Sequence, residues 1–319
     1  MNKRQLLFLT FIAILVLPLA IPSSYFRHLL VLSGIFIILT ISLNLIMGYI
    51  GEISLGHVAF FGIGAYTSTI LSTRFAVSFP MSFLSAIMAA GVGGFLIGYP
   101  SLKLRGPYFA ITTLGFVEIL RQIITNWVTL TNGPMGIAGV PSPKIQISNL
   151  FRVTIEGEIG FYYFVLFFVA VILYFTSLFL DSRYGRGFAA IRVNEDLASM
   201  LGINTFWYKM LGFLIGAFMG GMAGSLYVHY IKFADPSLLS FHYTSTLLTM
   251  VMVGGRGSIL GSIVGGLLFT IVPEYLRIAS TFRMVVLGVL LILSIIFMPE
   301  GISGVFWKFW TQRLGRKLD

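Results

Sequence analysis

The sequence contains no cysteine. That excludes disulfides and thiolate metal sites and leaves the redox state of the compartment open. Charge is almost as scarce. Asp, Glu, Lys and Arg make up 10% of the 319 residues, against roughly 25% in a soluble domain. His28, His229 and His242 are too scattered along the chain to act together as metal ligands. No H-E-x-x-H, no G-x-S-x-G and no G-x-x-x-x-G-K-[ST] occurs. The patterns of a zinc hydrolase, a serine hydrolase and a P-loop nucleotide site are therefore missing. The expectation is no metal, no cofactor and no catalytic residue in this chain.

What is present is apolar. Hydrophobic residues account for 57% of the chain and fall in continuous runs broken by single charges and by glycine- and proline-rich turns. An apolar stretch of about 20 residues crosses a bilayer as a helix, whereas a membrane β-barrel would alternate apolar and polar positions. The expected fold class is an all-α polytopic membrane protein, one transmembrane domain over 1–319. About ten spans are expected, near 6–21, 28–47, 55–73, 80–102, 108–130, 159–180, 210–230, 244–253, 259–275 and 284–306. The eighth is short unless it starts near Leu238. Trp307 and Trp310 follow the tenth as interfacial anchors. The basic start (Lys3, Arg4) also fits a signal peptide, but no A-x-A site follows, so an uncleaved first span is expected.

The net charge of +10 is spread between spans, which speaks for asymmetric loops and against nucleic acid. With the N-terminus cytoplasmic, the inner loops collect most of the basic residues, among them Lys103, Arg105, Arg183, Arg186, Arg192 and Lys209. Both termini then lie inside, a long Gly/Pro-rich surface loop at about 131–158 lies outside, and the segment 181–209 is cytoplasmic.

That segment organises the chain. "DSRYGRGFAAIRVNEDLASMLGINTFWYK" sits between two charge-free runs, 159–180 and 210–231. Read as one helix over 187–202, it places Phe188, Ile191, Leu197 and Leu201 near one side and Arg192, Glu195 and Asp196 largely elsewhere. Gly202 is the expected stop. The segment is either a solvated connector or a docking helix for a partner.

Other residues invite a reading. Glu118 and Arg121 are three apart and share a helix face inside a span. They either line a polar path or lock spans together. His57 is a path candidate, although a lone histidine is more often a packing residue. Glu52 reads as a solvated loop charge. Gly48, Gly51, Gly56, Gly254, Gly255, Gly257 and Gly261 permit close helix approach or act as hinges. Gly48 and Gly51 open a span turn as Gly254 and Gly257 do, a weak echo between the halves.

"SLNLIMGYIGEISLGHVAFFGIGAY" (42–66), "LRGPYFAITTLGFVEILR" (104–121), "NWVTLTNGPMGI" (126–137) and "VGGRGSILGSIVGG" (253–266) resemble the permease subunits of branched-chain amino-acid ABC importers of the LivH/LivM family, LivM type. The likeness covers most of the chain in order. Glu52 departs from it, since the family more often has Gln there. The resemblance implies an ABC importer permease fold in the prokaryotic inner membrane. It implies a second permease of LivH type, two cytoplasmic ATPases that bind the ATP, and an external solute-binding protein. Asp196-Leu197-Ala198 with Gly202 loosely keeps the spacing of the family's ATPase-coupling loop, which points to Arg192, Asn194, Glu195, Asp196, Ala198 and Gly202 as coupling residues. A permease for urea, amide or sugar solutes stays open. So does an intramembrane transferase using His57 and a carboxylate, although no third partner accompanies Glu52 and His57.

Overall fold

A computed structural model describes residues 15–148, 151–275, 288 and 301–304. The tenth expected span, the two tryptophans after it and most of the first span lie outside these residues. A helical stretch at 15–20 is the described part of the first. Among the described residues, five helices are long and apolar enough to cross a membrane. The chain is an all-α polytopic membrane protein.

Helix α1 runs Ser24–Asn44 and continues as a π-helical turn, Leu45–Ile50, that ends at Gly51 in the left-handed region (φ 97°). Helices α2 (Val58–Arg74), α3 (Phe79–Ser101) and α4 (Pro107–Asn126) follow. Proline sits in the first turn of α3 and of α4, where its missing N–H costs nothing. Trp127 (φ −85°, ψ 62°) stops α4 short of the expected 130, and α5 is a single turn, Val128–Thr131. Helix α6 is Gly157–Asp181. The segment after it forms α7 (Arg183–Val193) and α8 (Glu195–Met200). Helices α9 (Thr205–Ile231), α10 (Phe241–Gly254) and α11 (Ile259–Tyr275) complete the described fold.

Helix α9 is central and packs on α1, α2 and α3, while α11 packs on α1 and α10. Small residues set the spacing. A methyl group on Gly64 of α2 would run into the Gly221 backbone of α9. Backbones this close are what association inside lipid requires, because apolar burial gives no net drive there. Gly64→Leu is expected to split α2 from α9 at a cost of about 1–3 kcal/mol or more. The readout is thermal unfolding in detergent, and an unchanged midpoint would contradict the packing.

Three expectations change. The region 131–158 is not an irregular loop. It holds a 3-10 turn (Gly133–Met135), strand β1 (Ile137–Ala138) and a hairpin of β2 (Lys144–Ser148) with β3 (Phe151–Thr154). β1 pairs antiparallel with β4 (Phe233–Ala234), just past α9. The alternation Lys-Ile-Gln-Ile-Ser marks β2, but the β1 pairing joins distant segments and has no local signal. Second, the short eighth span does not start near Leu238. A 3-10 turn (Pro236–Leu239) and extended Ser240 precede the 14 residues of α10. At 1.5 Å per residue α10 is about 21 Å long, less than the roughly 30 Å hydrocarbon core. Its lead-in is sheltered instead, with Leu238 and Leu239 buried, as non-helical backbone at membrane depth must be. Third, the single helix over 187–202 is two helices.

Candidate functional site

The break between the two helices is built by capping. Ser182 accepts a hydrogen bond from the Tyr184 amide at 3.1 Å and opens α7. Asn194 is extended (φ −161°, ψ 112°), and its side chain accepts from the Leu197 amide at 3.0 Å, opening α8. Glu195 and Asp196 occupy the first turn of α8, where the helix dipole favours them. Gly202 closes it in the left-handed region (φ 84°). The Gly202 amide donates to the Ser199 carbonyl and the Ile203 amide to that of Ala198, the two bonds of a Schellman stop. The expected stop at Gly202 is where α8 ends. An Asn194 cap splits the helix because an asparagine carbonyl offers the backbone an alternative to helix continuation.

The faces differ from the one-helix reading. Phe188 and Ile191 of α7 are buried, but Leu197 is 56% exposed and Met200 and Leu201 are each 81% exposed. Ala198 is 2% exposed and faces the chain itself. A docking surface through Ala198 is therefore corrected, while Gly202 is exposed with open space beside it. The exposed surface of α8 carries the apolar residues Leu197, Met200 and Leu201, with Val193 beside them, next to the exposed Asp196 and Ser199.

The charges are engaged within the chain. Lys209 Nζ, in the first turns of α9, donates to Glu52 Oε1 at 2.6 Å and lies 2.8 Å from Glu195 Oε2. Arg105, on the connection from α3 to α4, reaches Asp196 at 3.1 Å and Glu195 at 3.6 Å. The bond to Asp196, and then the charge of Glu195, hold the Arg105 guanidinium above its ordinary range. Glu52 is thus not a solvated loop charge. Its side chain is 13% exposed and that of Lys209 is 2% exposed. Arg192 is exposed, as a rim charge would be, but it also packs against the chain. Its stem packs over Gly51, and its guanidinium fills the space a side chain on Gly257 would need.

The two glycine turns meet. Asn44 accepts from the Gly257 amide at 2.9 Å and donates to the Ser258 carbonyl at 3.0 Å and to Ser262 Oγ at 2.8 Å. A side chain on Gly48 would strike the Gly257 amide. A methyl on Gly56 would meet Thr113, and one on Gly254 would meet the Gly261 carbonyl. Gly255 turns the chain at φ 126°. The echo between the halves is a physical contact in which Asn44 and Arg192 join α1, α7 and the start of α11. Sequence reading missed Asn44, Arg105 and Lys209. The signal for Lys209 was a lone cation beside a charge-free run, and for Glu52 its departure from Gln.

A second feature lies on α4. Tyr108, Ile111, Gly115, Glu118, Ile119 and Gln122 form one exposed stripe at helical spacing. Within it Arg121 donates to Glu118 at 2.6 and 2.8 Å, and Gln122 donates to Glu118 at 2.9 Å. All three bonds stay inside α4, so the pair does not lock two helices of this chain together. His57 is elsewhere. It is buried against Phe60 and Phe213 and shares a 3.0 Å hydrogen bond with Ser42 Oγ.

The described residues form a multi-pass helical membrane bundle, with a capped segment between two spans and a polar stripe on an exposed span. The family model described as the permease component of the branched-chain amino acid transport system matches residues 25–295. The chain is 34% identical over 320 residues to the high-affinity branched-chain amino acid transport system permease protein LivM of Escherichia coli strain K12, covering 94% of this chain and 75% of that one. It is 26% identical to the probable LivM of Methanocaldococcus jannaschii, over 84% of this chain and 90% of the relative. It is 28% identical to LivH of Salmonella typhimurium, over 86% and 92%. No solved structure matches. The chain belongs to the family of permease components of branched-chain amino acid transport systems, and that family consists of transport subunits rather than enzymes.

Proposed function

We propose that this chain is one of two permease subunits of an ATP-driven importer of branched-chain amino acids in the cytoplasmic membrane. A LivH-type subunit is its partner. The observation that carries the coupling part of this reading is α8. It is six residues long, capped at both ends, tied to the bundle by Lys209 and Arg105, and presents a bare apolar tip. Apolar side chains so exposed mark a protein or membrane contact, and the neighbouring exposed Asp196 and Ser199 speak for a protein. The partner is a cytoplasmic ATPase, since this chain has no nucleotide-binding pattern of its own. An external binding protein delivers the solute at the opposite end, near the β1–β4 pair. The stripe on α4 faces the second permease across the translocation route, because an ion pair does not favour lipid.

The reading requires α8 inside and the 131–158 region outside. Ser142→Cys is expected to react with an impermeant thiol reagent in intact cells, and Ser199→Cys only after the membrane is opened. The natural chain has no cysteine, so the background is clean. Reaction at Ser199→Cys alone would reverse the topology. The functional test is reconstitution with the second permease, the ATPases and the binding protein in liposomes. Solute-dependent ATP hydrolysis is expected, and a complex that hydrolyses ATP indifferently to every branched-chain amino acid would sink the assignment.

A further inference from the structure

The buried cation Lys209 ties α8 to the segment that follows the π-helical turn of α1, beside the packing of Arg192 on the same turn. One carboxylate it holds, Glu195, is the first residue of α8. The other, Glu52, lies two residues past the π-helical turn of α1 and is fastened to it, since the Gly51 and Glu52 amides both donate to the Ile46 carbonyl, at 3.0 and 3.1 Å. That turn carries Gly48, whose backbone abuts Gly257 at the start of α11. Arg192, at the end of α7, packs across Gly51 and Gly257 from the same side. A continuous path of ion pairs and backbone contacts therefore runs from α8 to the junction of α1 and α11.

We propose that Lys209 is the positioning residue that makes α1 follow α8, its one ammonium holding Glu195 and Glu52 so that a displacement of α8 is handed to the Gly48–Gly257 junction. The inference rests on α8 being the ATPase contact. Its physics is that of a buried charge between two anions. With 2% of its side chain exposed, Lys209 has little water with which to replace either carboxylate, so breaking one bond leaves a buried ammonium N–H without its acceptor. The bonds hold during motion, and the softer exposed contacts give way first. The Arg105 pairs are of that softer kind, with the arginine side chain 66% exposed. Lys209 touches neither solute nor nucleotide; it acts through the two elements it holds.

The test uses the complete complex in liposomes, reading solute moved per ATP hydrolysed. Glu52→Ala removes one end of the link at a site away from α8. It should still bind the ATPases and hydrolyse ATP, but move about fivefold less solute per ATP, the lower range of a coupling free energy. Glu52→Gln keeps an oxygen for Lys209 and should retain most of the ratio. Glu195→Ala cuts the other end and should lower the ratio similarly. The double Glu52→Ala/Glu195→Ala should be no worse than the poorer single, because one cut already opens the link. Wild-type ratios in both singles, or losses that multiply in the double, would overturn the role of Lys209. Wild-type complex without any solute-dependent hydrolysis would instead fail the importer reading, and the inference with it.

Discussion

Permease carrying Met200→Asp and Leu201→Asp is expected to reach the membrane at normal level and to lose its ATPases. Both side chains are 81% exposed, so the chain's own packing hardly registers the change. In a complex they are the part of α8 available to enter a groove. Burying an apolar side chain of this size contributes about 1.5–3 kcal/mol, and each 1.4 kcal/mol is about tenfold in affinity. Two aspartates remove both contributions and leave carboxylates to be desolvated in the groove. Leu197→Asp should act in the same direction. Ala198→Trp is a poor test of the same idea, because Ala198 is buried and a tryptophan would push α8 off its own bundle. The measurement is co-purification of the ATPases, with thermal stability of the permease as control. If the double variant keeps its ATPases and hydrolysis stays solute-dependent, α8 is a connector and the coupling assignment is wrong.

The second large effect concerns α4. Glu118→Ala leaves Arg121 without its carboxylate on an exposed membrane helix face. An unpaired charge near a span centre costs about 2.5–3.5 kcal/mol on insertion scales, so less assembled protein is expected. Glu118→Gln with Arg121→Gln removes both charges and should restore assembly. Transport should stay low, by about tenfold, the order of one lost hydrogen bond to a charged group at about 1.5–3 kcal/mol. The readouts are the amount of complex and the initial uptake rate. Full uptake by the neutral double variant would mean that the pair only neutralises itself and that the route lies elsewhere.

Sequence periodicity was a good guide where lipid sets the rules. Charge-free runs became α1, α6 and α9 within a few residues of their expected ends, because a span has no freedom to be anything but helix. It was a poor guide where tertiary contact decides. The 3.6-residue pattern of Phe188, Ile191, Leu197 and Leu201 suggested one continuous face. Asn194 broke the helix there, and Leu197 and Leu201 are left exposed. Glu52 and Lys209 are far apart in sequence, and no local rule pairs them. The Gly48/Gly51 and Gly254/Gly257 turns were visible as an echo, but that they touch, with Asn44 between them, needed three dimensions. Of the coupling candidates, Asn194 is the cap, Glu195 and Asp196 are held by Lys209 and Arg105, and Gly202 is the stop.

The contact between Gly64 and Gly221 also has a place in time. The ribosome adds about 5–20 residues each second, so α9 emerges on the order of ten seconds after α2. Throughout that interval α2 and α3, which also pack on each other, are without the helix that both will pack against. Whatever keeps the early helices from pairing wrongly acts before the centre of the bundle is made, so the order of synthesis is part of how this fold is reached.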